Sequence, residues 1–103
     1  MKLFIDNKLP APEGWTLVTN YEDAITTVMM ESVTAISFAH DLGAGATGTD
    51  IAKFIEHAAN DHTLPPITWG VHRANPAGRA EIIWAMMGAD RAWNPPTPAP
   101  VAE

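Results

Sequence analysis

Two short apolar runs in this chain end on histidines. Ala35-Ile36-Ser37-Phe38-Ala39 leads into His40-Asp41, and Ile67-Thr68-Trp69-Gly70-Val71 leads into His72-Arg73-Ala74-Asn75. If both runs are strands of one parallel sheet, their carboxyl ends share a rim, and such rims bind ligands in open α/β sheets. Histidine exchanges protons near neutral pH, so His40 and His72 would act as base and acid, with Asp41 or Asp6 orienting an imidazole. Arg79 falls in the first turn of a helix predicted after Asn75-Pro76, where unsatisfied backbone amides also attract anions. The candidate catalytic residues are therefore His40, Asp41 and His72, and the candidate ligand contacts are Asp6, Gly43, Arg73, Asn75 and Arg79. Each has a structural alternative. Strand-end histidines are often hydrogen-bonded rim residues, Asp6 and Asp41 could close turns, Asn75 fits a helix cap, and Arg79 could be a solvated helix residue.

The elements that must position these groups are legible as three helical patterns set between strand-like runs. Asn20 with Asp23 gives a cap and a first-turn acid, and Tyr21, Ala24, Ile25, Val28 and Met29 recur at helical spacing, which predicts a helix over roughly 21–31. Thr47 with Asp50 repeats the start signal. Ile51, Phe54, Ile55, Ala58 and Ala59 form the apolar face of a second helix ending near Asn60, with Lys53, Glu56 and His57 outside. Asn75-Pro76 opens a third helix whose apolar face is Ile82, Ile83, Met86 and Met87 and whose expected stop is Gly88. Lys2 to Asp6, Thr34 to Ala39 and Ile67 to His72 have strand character, and Thr16-Leu17-Val18 reads as a short edge strand. Strands alternating with helices call for a parallel sheet with right-handed crossovers. The expected fold is a single compact α/β domain over 1–92, three-layered (α/β/α) with a short parallel sheet. Residues 93–103, rich in proline, read as a mobile tail.

Composition limits what such a domain can do. With 103 residues, 47% of them hydrophobic, the chain suits one core that buries about two thirds of its unfolded surface. Cysteine is absent, which rules out disulfides and thiolate metal sites and fits a reducing compartment. The first residues reach Lys2 and Asp6 too soon for a signal peptide, and no apolar run approaches membrane-spanning length, so a soluble cytoplasmic protein with no membrane partner is expected. Twelve acidic against six basic residues, a net charge of −6, argue against nonspecific nucleic-acid binding. Any anionic ligand needs a local site.

Six segments, in this order, resemble the small receiver-like domains named for the processing of cyclic phosphates. They are Leu3-Phe4-Ile5-Asp6, Pro12-Glu13-Gly14-Trp15, Tyr21-Glu22-Asp23-Ala24-Ile25, His40-Asp41-Leu42-Gly43, Gly48-Thr49-Asp50-Ile51-Ala52, and Val71-His72-Arg73-Ala74-Asn75-Pro76-Ala77-Gly78-Arg79. The resemblance covers about 1–90 and implies a receiver-like α/β fold and a cyclic phosphate of a nucleotide or RNA end as ligand. Two departures stand out. Family members usually carry paired acids after the first strand, where this chain has Asp6-Asn7, and an acid before the second-strand histidine, where it has Ala39. Receiver-type sites hold magnesium through clustered carboxylates, so these losses weaken the case for a divalent metal.

Two functions follow as expectations. One is a phosphoesterase-like enzyme that opens a cyclic phosphate, with His40 and His72 as base and acid and Arg79, supported by Arg73, as phosphate clamp. The other is a catalytically degenerate domain that binds a protein partner or sequesters a nucleotide, in the manner of a phage or mobile-element inhibitor. The glycine pattern Gly43-Ala44-Gly45-Ala46-Thr47-Gly48 is read as an active-site loop or a phosphate-cradling turn, since the acid-ended strand of a dinucleotide site is missing. His57 and His62 lack zinc-motif spacing. Trp15, Trp69 and Trp84 read as core or rim packing, and Trp93 as a residue that could face a partner.

Overall fold

The computed structural model describes residues 1–94, and the proline-rich segment 95–103, with the expectation of a mobile tail there, lies outside the described residues. The chain forms β1 (Lys2–Ile5), β2 (Thr16–Val18), α1 (Tyr21–Met30), β3 (Ala35–Ala39), α2 (Gly48–Asn60), β4 (Thr68–Arg73) and α3 (Pro76–Trp93). The strands make one sheet in the order β2-β1-β3-β4, every pair parallel, so the fold is a compact receiver-like α/β domain with β2 at one edge. All the carboxyl ends therefore share one rim. Each helix starts from local chemistry: Asn20 and Asn75 cap α1 and α3 with their side chains, and Thr47 with Asp50 forms a capping box on α2.

The layering differs from expectation. The crossovers β2-α1-β3 and β3-α2-β4 step along the sheet in the same direction, and right-handed crossovers in one direction put both helices on one face. The third helix packs on α2 beside them. One core cluster joins the helices to Leu3, Ile5, Ile36 and Phe38, all on that face. The opposite face would be covered by a helix between β1 and β2. That connection carries Pro10, Pro12 and Gly14 (φ +86°) and builds none. The described residues thus make two layers, and the face bearing Phe4, Ser37 and Gly70 has no helix over it.

Along α3 two further expectations change. The helix runs through Gly88 to Trp93, because Gly88 is a contact point between helices: a Cβ there would meet the Glu56 carboxyl, 2.6 Å from its Cδ. The buried stripe is Gly78, Ile82, Ala85, Met86 and Ala89, so the helical turn rotates Trp84 (78% exposed) and Met87 (47%) outward rather than into the core.

Candidate functional site

Asp6 follows directly on β1 and is 0% exposed. A buried carboxylate must be paired and hydrogen-bonded, and Asp6 is both. Its Oδ1 accepts from the Lys8 amide (2.8 Å), the Leu9 amide (3.3 Å) and Arg73 Nη2 (2.6 Å). Its Oδ2 accepts from His72 Nε2 (2.8 Å) and Arg73 Nε (3.1 Å). Burial alone would raise the Asp6 carboxyl. The Arg73 guanidinium, the two amides and His72 outweigh that and hold it well below the ordinary carboxylate range. In turn Asp6 raises the Arg73 guanidinium above its usual value.

Consecutive residues of a regular strand point to opposite faces, so His72 and Arg73 should not both reach Asp6. A bulge resolves this. Phe38 pairs with Val71 and Ala39 with Arg73, so β4 carries one extra residue: alternation from Gly70 already puts His72 on the face of Phe4 and Ser37, and the extra residue brings Arg73 round to Asp6 as well. The His72 ring then stacks on Phe4 (centroids 4.1 Å apart, planes 15°), and its Nδ1 lies 2.7 Å from Ser37 Oγ. An ionised Asp6 can only accept, so Nε2 carries the imidazole proton, and in the neutral ring Nδ1 accepts from the Ser37 hydroxyl.

His40 stands at the same rim on the other face. Its amide donates to the Arg73 carbonyl (2.9 Å), but its ring turns toward α3, where Nε2 lies 3.5 Å from Glu81 Oε1. A Cβ on Gly78 would sit 2.5 Å from His40 Cγ, so the glycine makes room for the ring. His40 and His72 are therefore neighbours through the backbone and divided by the sheet. Asp41 closes a turn in which its Oδ1 accepts from the Gly43 amide (2.8 Å). That bond is the chief reason its carboxyl is lowered, and the charges of Lys8, Arg73 and His40 add to it. Gly43 holds φ +91°, a conformation that glycine tolerates without strain. Asn75 Oδ1 accepts from the Gly78 amide (2.7 Å) as the α3 cap, and Arg79 Nη1 donates to the Val71 carbonyl (3.1 Å).

Of the residues singled out from sequence, the structure joins Asp6, His72 and Arg73 directly. Arg73 Nη2 also ties in Asn7 Oδ1 (3.1 Å) and the Asp41 carbonyl (3.0 Å). His40, Asn75 and Arg79 lie around α3 instead. Ser37 and Phe4 escaped sequence reading, although a single hydroxyl inside the apolar run Ala-Ile-Ser-Phe-Ala was the available signal. A divalent cation does not fit this donor set. Both Asp6 oxygens are engaged, Asn7 accepts from Arg73, and the described residues contain no group of three or more His, Cys, Asp or Glu suited to a metal.

Fold and site together define a small parallel α/β domain of the receiver type with a buried carboxylate–histidine–arginine cluster at its carboxyl rim. The sequence profile of the cyclic-phosphate processing receiver domain matches residues 1–88, and the chain belongs to that family. No curated protein and no solved structure matches it. Among the described residues, no helix is long and apolar enough to cross a membrane.

Proposed function

We propose that this domain binds and opens a cyclic phosphate ester of a nucleotide or RNA end, with His72 as the proton-accepting group. The observation that carries the reading is the Asp6–His72 pair at 2.8 Å. A carboxylate on one ring nitrogen fixes the tautomer and stabilises the imidazolium that forms when the other nitrogen takes a proton. Family membership supplies the ligand class. Arg79, in the first turn of α3 with its Nη1 on the Val71 carbonyl of β4, is the phosphate clamp. A cytoplasmic setting accords with the cysteine-free composition.

A second reading has its own support. Arg73 saturates Asp6, and His40 and His72 project from opposite faces, which suits a domain that keeps the fold and binds a nucleotide or protein partner without turnover.

Phosphorus NMR with a panel of 2′,3′-cyclic and 3′,5′-cyclic nucleotides decides between them. The enzyme reading expects ring opening by the wild type, at least about a hundredfold slower in His72→Ala, and weaker binding in Arg79→Ala at unchanged thermal stability. Ligand-dependent shifts without turnover favour the binding domain. Absence of both across the panel overturns the cyclic-phosphate reading.

A further inference from the structure

Resting on that reading, we infer that Ser37 is a nucleophile and that the protein opens the cyclic phosphate through a covalent serine intermediate. Ser37 Oγ, His72 and Asp6 form a continuous chain, with 2.7 Å from Oγ to Nδ1 and 2.8 Å from Nε2 to Oδ2. A hydroxyl on an imidazole that is held in turn by a buried carboxylate is the arrangement that activates serine, and geometry rather than sequence order identifies it. The His72 ring cannot swing freely, because Phe4 stacks on it and Asp6 is fixed by Arg73.

The hydroxyl is also reachable. Ser37 is half-buried on the helix-free face and lines a trough of about 390 Å³ with Lys2, Trp15, Ala35, Thr68 and Gly70. Small residues leave space above the sheet. Trp15, set edge-on to Phe4 (78° between planes), and Lys2, whose Nζ lies 5.7 Å from the Trp15 ring centroid, supply an aromatic surface and a cation for an anionic ligand bearing a planar ring.

The reaction is a double displacement. Ser37 Oγ bonds to phosphorus as one endocyclic P–O bond breaks. The serine proton passes to His72 Nδ1 and then to the departing oxygen. Water next attacks the serine-bound phosphorus and gives a proton to His72, and the P–Oγ bond breaks as Ser37 takes that proton back. The product is a ring-opened phosphate monoester with one free hydroxyl, and Ser37, His72 and Asp6 end as they began.

Diisopropyl fluorophosphate tests the nucleophile without a cyclic substrate, since a P–Oγ bond forms as fluoride leaves. Peptide mass spectrometry of the full chain should find the label on Ser37, absent in Ser37→Ala and at least about a hundredfold slower to appear in His72→Gln. No label on Ser37, or an unchanged rate in His72→Gln, overturns the inference. With the cyclic nucleotides, loss of turnover in Ser37→Ala supports it. Full turnover in that variant overturns the serine role and leaves the cyclic-phosphate reading standing. Labelled Ser37 with no turnover or binding of any cyclic nucleotide upholds the nucleophile and removes that reading.

Discussion

Truncating Arg73 strands a buried charge, and the size of the penalty can be worked from the contacts. Arg73→Ala removes two charge-assisted hydrogen bonds from a carboxylate that is 0% exposed, along with bonds to Asn7 and the Asp41 carbonyl. Breaking one partner of a buried ion pair typically costs about 3–5 kcal/mol. Asp6 would keep His72 and two amides, and the Arg73 side chain is 27% exposed, so water can replace part of what is lost. The expected destabilisation is about 2–4 kcal/mol. With a urea slope of roughly 1.5 kcal/mol per M, the unfolding midpoint falls by about 1–3 M. Replacing Asp6 by Asn in the same background removes the stranded charge, so the double variant should be less destabilised than the two single losses added together.

Acid titration supplies a second readout. The folded Asp6 carboxyl lies well below its unfolded value of about 4. Its contribution is therefore fully present above pH about 4 and is lost as pH falls below that toward the folded value. Arg73→Ala lessens the depression, so its stability should fall less steeply over the same acid range. Urea midpoints measured from pH 7 down to about 2.5 check both effects. A midpoint shift under about 0.5 M, strict additivity in the double variant, or equal acid slopes would refute the account of Asp6 as a carboxylate held by Arg73.

Gly48→Ala places a Cβ against immovable backbone, 3.0 Å from the Ala39 carbonyl carbon and 3.2 Å from His40 Cα, so it should cost about 1–3 kcal/mol in urea unfolding, and an unchanged midpoint would contradict the close approach of α2 to the end of β3. Gly78→Ala drives a methyl into the His40 ring, so NMR should show the His40 imidazole signals displaced while those of His72, across the sheet, hold still; joint movement would mean that the two rings share one environment.

What the sequence by itself determined is local. Short apolar runs, caps at Asn20, Thr47 and Asn75, and proline at the start of α3 act within a few residues, so the parallel strands, the three helices and the edge strand at Thr16–Val18 were all legible. That Asp6 and His72 would lie at one rim followed from the order of the elements. Tertiary structure decided the rest, because it turned on register and direction of crossover, which no short window encodes. Register set Ser37 beside Gly70, which puts His72 on the face of Ser37 and Asp6, and one extra residue in β4 brought Arg73 to the same carboxylate, while His40, three residues after Ser37 and so on the other face, points to α3. Two crossovers in one direction put the helices together and left Ser37 on an uncovered face. Composition supplied the groups, and pairing across the sheet chose which of them meet.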